Sequence, residues 1–150
     1  MQHRRREFLA LLSLMAAAGL LPTGLARAGE WNKAAFGSNK LDELFKLLGG
    51  SAPQQSDQVA LIGPDIAENG AVVSLEVESK LPNTESIAIL IEKNPSILAG
   101  LFTIPAGTLP DIQTRVKMAE TCNVYALATA GGKRYFAVKE IKVTLGGCGG

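Results

Sequence analysis

Few side chains in this 150-residue sequence suit covalent chemistry, and one is marked by its neighbours. The sequence closes on Val143-Thr144-Leu145-Gly146-Gly147-Cys148-Gly149-Gly150, so a thiol lies between two pairs of glycine. A cysteine kept for packing is surrounded by apolar side chains. Here the flanking residues cover the thiol with nothing and give the backbone its greatest freedom. Leu145 is the last residue able to anchor in a strand, and three more residues at about 3.3–3.6 Å each carry the thiol roughly 10 Å beyond it. Gly146, Gly147, Gly149 and Gly150 would thus form a thin arm around Cys148, narrow enough to enter a channel in another protein. A free thiol has a pKa of about 8.5 and nothing nearby in the sequence lowers it, so the group is reachable but not self-activated. That combination suits an attachment point served by partner enzymes and names no catalytic residue.

Cys122 reads differently. In Cys122-Asn123-Val124-Tyr125-Ala126-Leu127-Ala128 it shares a strand face with Val124, Ala126 and Ala128, small apolar residues typical of a core. A buried inert thiol is the leading expectation. A disulfide with Cys148 is the lesser one, because pinning a glycine arm to a strand costs the entropy that glycine brings.

The rest of the usual chemical equipment is missing. The single histidine, His3, lies in a leader-like segment, and the two cysteines are 26 positions apart, so no CxxC pair is present. There is no GxxxxGK[ST] and no GxSxG. No cofactor and no metal site are expected.

The opening residues set the compartment. RRREFLALLSLMAAAGLLPTGLARAGE has a basic start, an apolar run from Phe8 to Leu21 of 14 residues, and Ala26-Arg27-Ala28. That is the pattern of a secretory signal. The run falls short of the roughly 20 residues a spanning helix needs. Arg5-Arg6-Glu7-Phe8-Leu9 further resembles the twin-arginine export motif, so residues 1–28 are expected to be a Tat-type signal leading to the periplasm. No cysteine lies near the expected cleavage point to carry a lipid, so no membrane anchor is expected. Cleavage after Ala28 would leave 122 residues with 11 basic and 13 acidic side chains, a net charge of −2. With no basic run, nucleic acid is not an expected partner.

Those 122 residues suit one domain, and its elements must position the thiol. In SNKLDELFKLLGG, Leu41, Leu44, Phe45 and Leu48 recur at helical spacing, with Ser38 or Asn39 to cap the start and Gly49 to end it. SAPQQSDQ (51–58) reads as a loop. QVALIG (58–63), AVVSLEVES (71–79), SIAILIEKN (86–94), ILAGLFTIP (97–105), DIQTRVKMA (111–119), TCNVYALATA (121–130) and KRYFAVKEIKVTL (133–145) read as about seven strands, with Gly131-Gly132 a two-residue hairpin turn. Such spacing favours a mainly β fold, an immunoglobulin-like antiparallel sandwich at 29–145 with a short N-terminal helix and the arm at 146–150. Several strands are apolar on both faces, which suggests a subunit partner to cover them.

The ending KEIKVTL followed by GGCGG resembles the SoxY sulfur-carrier proteins of the periplasmic thiosulfate-oxidising (Sox) system. The resemblance extends through VKMAETCNVYALATAGGKRYFAVKEIKVTLGGCGG, the strand series, the alanine-rich start and the export signal. It implies an immunoglobulin-like sandwich, a heterodimer with a SoxZ-like subunit, and Cys148 as the site of covalent substrate attachment on a swinging arm of Gly146, Gly147, Gly149 and Gly150. A SoxXA-like c-type cytochrome complex would join thiosulfate to the thiol as a cysteine S-thiosulfonate. A SoxB-like manganese hydrolase would release sulfate, and a SoxCD-like sulfane dehydrogenase could oxidise what remains. Cys122 matches nothing in the family's functional motif.

Two other functions compete. A ubiquitin-like thiocarboxylate carrier also ends in Gly-Gly, but the export signal and adjacent cysteine argue against it. A periplasmic assembly or binding module tethered through its terminal cysteine would form one stable disulfide instead of turning over among partners.

Overall fold

The computed structural model describes residues 32–49 and 51–146. The expected signal segment and residues 147–150 lie outside the described residues.

Among the described residues, two short helices come first. α1 (Lys33–Gly37) is capped by Asn32, whose Oδ1 accepts the Ala35 N–H at 3.1 Å. α2 (Leu41–Leu47) carries the expected apolar spacing, and Gly49 ends it at φ +71° with its N–H on the Lys46 carbonyl. The expected cap is corrected: Lys40 occupies the N-cap and makes no side-chain capping bond. Ser38 turns inward instead, its Oγ accepting the Lys40 N–H and donating to the Lys40 carbonyl. The hydroxyl closes its own turn between the helices and is not free to serve the second one.

Nine strands follow: β1 (Gln54–Gln55), β2 (Val59–Ile62), β3 (Ile66–Ala67), β4 (Val73–Ser79), β5 (Thr84–Ile91), β6 (Leu98–Thr103), β7 (Asp111–Val116), β8 (Cys122–Ala130) and β9 (Lys133–Val143). The seven expected strands are all present. One sheet runs β1-β9-β8-β5-β6, with β3 also on β9, and the other runs β2-β4-β7. The long strands pair antiparallel, and β8–β9 is a tight hairpin with Gly131 and Gly132 at φ +56° and +71°. Positive φ at both central residues matches the twist of the flanking strands, which is why glycine occupies them.

β1 and β3 were not foreseen, and 51–58 is not wholly a loop. Both short strands lie parallel to β9, Gln54 opposite Tyr135 and Ile66 opposite Lys142. β9 spends one edge on β8, and these two passing segments occupy part of the other, which blunts an otherwise open edge.

The sheets enclose one core. Val73, Leu75 and Val77 of β4, Ile87, Ile89 and Ile91 of β5, Val124, Ala126 and Ala128 of β8, and Ile141 of β9 are all buried in it. The alternate residues of the larger sheet make a second core: Ala88, Leu90 and Leu127 bury against Ala35 of α1 and Leu44 of α2. Strands apolar on both faces are thus covered on the outside by the chain's own helices. That cover is local to this face, and Ile62, Val72, Leu101, Leu109 and Val138 stay exposed elsewhere.

The crossing from β4 to β5 between sheets is pinned by a buried hydroxyl pair. Ser79 Oγ and Thr84 Oγ1 are 2.8 Å apart, and they also bond the Leu81 N–H and carbonyl respectively. Buried hydroxyls so paired avoid an unsatisfied-polar penalty of about 1–3 kcal/mol each.

Candidate functional site: the root of the arm

The hairpin sets where β9 ends, and β9 carries the chain toward Cys148. Its last residues leave the sheet between two loops. On one side lies 65–70: the Lys142 N–H donates to the Asp65 carbonyl at 3.0 Å, and the Thr144 N–H to the Ala67 carbonyl at 3.1 Å. Thr144 Oγ1 donates to the Glu68 carbonyl at 3.0 Å, and the Gly70 N–H to the Leu145 carbonyl at 2.7 Å. On the other side lies 117–121. Thr121 Oγ1 accepts the Val143 N–H at 2.9 Å and lies 3.4 Å from the Val143 carbonyl. Gly70 joins the two sides, since its carbonyl accepts the Met118 N–H at 2.7 Å.

Gly146 is the last described residue of this path. A Cβ there would overlap the carbonyl oxygen of Ala119. Of the expected site residues, the structure therefore locates Gly146 against the 117–121 loop, while Gly147, Cys148, Gly149 and Gly150 lie outside the described residues.

Cys122 begins β8 directly beneath this root, opposite Ile141 in the β8–β9 ladder. It is a free thiol, 4 % exposed, in the inter-sheet core with Val124, Ala126 and Ala128. Burial pushes its pKa above the ordinary value of 9.0, against a smaller opposing effect from the Lys93 backbone. The thiol is thereby kept protonated and a poor nucleophile.

Lys139 props the far side of the root. It takes an inward-facing register position of β9, shared with Ala137 and Ile141, and runs its stem out to the edge. There Nζ donates to the Gly63 carbonyl at 2.6 Å and pairs with Asp65 Oδ1 at 2.8 Å. The hydrogen bond and charge of Lys139 hold the Asp65 carboxyl below its usual pKa.

Sequence reasoning missed most of the root. By sequence Asn94 only closes the strand-like run 86–94, yet its Oδ1 accepts the Ala119 N–H at 3.0 Å and its Nδ2 donates to the Lys117 carbonyl at 2.8 Å. An asparagine near a turn is the only signal that could have drawn notice, and it does not say which loop is gripped. Among the described residues, no group of three or more His, Cys, Asp or Glu side chains is placed to hold a metal ion. No described helix is long and apolar enough to cross a membrane.

A strand that delivers a seated glycine to the surface just before a Gly-flanked cysteine can be compared with known proteins. A family model described as sulfur oxidation protein SoxY matches residues 45–148, a range that reaches the cysteine. The chain belongs to the SoxY family. The SoxY sulfur carrier protein from Chlorobium limicola f thiosulfatophilum is similar in structure, with 37 % identity and a TM-score of 0.65 over 71 % of this chain and 97 % of that one. Membership accords with the immunoglobulin-like sandwich described above. A superoxide reductase (neelaredoxin) from Ignicoccus hospitalis aligns at 18 % identity and a TM-score of 0.48 over 57 % of this chain and 80 % of that one, too distant to bear on this SoxY chain. No curated protein matches it.

Proposed function

We propose that this SoxY chain is a periplasmic sulfur carrier that holds thiosulfate-derived groups covalently on the Cys148 thiol and presents them to partner Sox enzymes. The observation that carries this reading is the family match extending to position 148, the one cysteine of the sequence besides the buried Cys122. The related structure's description as a sulfur carrier protein supports it.

Loading would be a two-electron oxidation. The Cys148 thiol and thiosulfate lose one proton and two electrons to a c-type cytochrome complex of SoxXA type, and a sulfur–sulfur bond forms to give cysteine S-thiosulfonate. Water then adds across the terminal sulfur–sulfonate bond in a SoxB-like manganese hydrolase. Sulfate and a proton leave, and a persulfide stays on the carrier. A SoxCD-like sulfane dehydrogenase would take that sulfur further where one is present. The chain's own contribution is positional: it offers a thiol that partners activate.

The leader-like residues 1–28 support export by the Tat route, and family membership supports pairing with a SoxZ-like subunit. A tethered assembly module remains the second reading, because a lone thiol can equally make one lasting disulfide.

Mass analysis of protein purified from thiosulfate-fed cells separates the two. Reductant-labile additions of sulfur or thiosulfonate on Cys148, with thiosulfate oxidation abolished in Cys148→Ser, are expected. An unmodified thiol, or undiminished oxidation in Cys148→Ser, would sink the carrier reading. A single stable protein–protein disulfide would favour the tether.

A further inference from the structure

We propose that Gly146 seats the arm instead of hinging it, and that Asn94 is the positioning residue that holds the seat. The inference concerns how the thiol is presented and so rests on the reading of Cys148 as the cargo-bearing group.

The glycines of this chain do different jobs. A Cβ added at Gly37, Gly49, Gly107, Gly131 or Gly132 would meet nothing within 4 Å, and all but Gly37 are glycine for a positive φ. Gly146 has no such φ. Its side-chain space is filled by the Ala119 carbonyl oxygen, a backbone atom that cannot swing aside as a side chain can. The residue type is set there by close approach, not by freedom.

The Ala119 peptide is itself prevented from retreating. Its N–H is held by Asn94 Oδ1, and the Nδ2 of the same side chain holds the Lys117 carbonyl. One amide thus grips both ends of a three-residue stretch, and it does so from the β5–β6 turn, where the Asn94 N–H bonds the Ile91 carbonyl. On the opposite side, Gly70 donates to the Leu145 carbonyl and accepts from Met118. The contacts close a ring: Leu145 to Gly70, Gly70 to Met118, Ala119 to Gly146. The chain leaves the sandwich through that ring at a defined place and in a defined direction.

A fixed departure point matters for a carrier that must enter several partners. With the root already fixed at Gly146, less chain entropy is lost there on docking. A loosened ring would let the root wander, and the partner would meet fewer productive orientations at the same carrier concentration.

Amide hydrogen exchange in the full chain tests the seat without any partner. Neither Asn94 nor Gly146 bonds the Gly70 N–H, so its protection reports on the ring as a whole. Gly146→Ala is expected to speed Gly70 exchange about tenfold, the equivalent of one lost hydrogen bond. Gly147→Ala is expected to leave it protected. Asn94→Ala should act like Gly146→Ala, and Asn94→Asp, which keeps the Oδ1 acceptor for Ala119, should restore most of the protection. The Asn94 pair carries the test if Gly146→Ala does not fold. Equal effects of Gly146→Ala and Gly147→Ala, or an Asn94→Ala protein with Gly70 still protected, would overturn the seat.

Loading by the cytochrome partner gives the functional side. Asn94→Ala should raise KM for the carrier about tenfold, with kcat little changed and the Cys148 reaction with a small disulfide reagent unaltered. An unchanged KM would likewise overturn the proposal. A wild-type chain with Gly70 protected but no sulfur ever found on Cys148 would instead overturn the carrier reading and leave the ring intact.

Discussion

Arg134 and Phe45 are joined twice across 89 positions of sequence. Nη1 of Arg134 donates to the Phe45 carbonyl at 2.5 Å, and the guanidinium carbon lies 5.9 Å from the centroid of the Phe45 ring. Nε donates to the Ser51 carbonyl at 2.7 Å, so a single side chain from β9 closes the C-terminal end of α2 and the turn after it. Only 4 % of Arg134 is exposed. A buried guanidinium is tolerable here because its donors meet carbonyls that the helix end leaves unsatisfied.

Arg134→Ala should therefore cost about 1–3 kcal/mol by orphaning these carbonyls. Arg134→Lys should recover only part of that, since one ammonium cannot replace a fork of donors. Urea denaturation of the three proteins measures both.

Leu44 is fully buried against Ala88, Leu90 and Leu127, the outer face of the larger sheet. Truncation to alanine should destabilise by about 2–5 kcal/mol. The loss should fall first on the helical layer, so proteolysis near residues 33–49 should quicken before the sandwich signals melt.

Cys122 should stay silent in the native state. Burial raises its pKa, so a thiol reagent should titrate one fast group in the folded chain, lost in Cys148→Ser, and two after unfolding. The folded thiol keeps its proton where the unfolded one has lost it, so stability from this group is intact below 9.0 and declines as pH rises beyond that value. Cys122→Ala should remove that decline and leave sulfur loading nearly unchanged. A folded Cys122→Ala chain that no longer loads would show that the buried thiol takes part in the chemistry.

Asp65 gives the opposite pH signature. Its carboxyl is held below the model-compound value of 3.8 by Lys139. A depressed carboxylate stabilises fully above that value and loses its contribution as pH falls through the lower folded one. The melting-temperature gap between wild type and Asp65→Asn should thus be present at neutral pH, close below pH 3.8, and narrow in high salt, because Asp65 is 91 % exposed in the pair.

Thr121→Val should loosen the last rung of β9. The hydroxyl accepts the Val143 N–H, and its removal should cost about 0.5–1.5 kcal/mol and speed exchange of that amide.

Much of this fold was legible in local pattern. Val73, Leu75 and Val77 alternate with polar residues because a strand turns each second side chain to the core. Gly131-Gly132 announced a hairpin because few other pairs tolerate its φ angles. Gly49 marked the end of α2 for the same kind of reason. The misses share a cause as well. Ser38 could have capped α2 by type alone, but its neighbours bent it elsewhere, and β1 and β3 are too short to carry any period.

The sequence by itself determined the strand series, the α2 stripe, the buried character of Cys122 and the unusual setting of Cys148, since each follows from residue type and near-neighbour spacing. Tertiary structure alone decided that α1 and α2 cover the outer face of β5 and β8, that Lys139 reaches Gly63, and that Asn94 holds Ala119 beneath Gly146. Those relationships join residues dozens of positions apart. No period records them, and they come into being only when folding brings two backbones to within a hydrogen bond of each other.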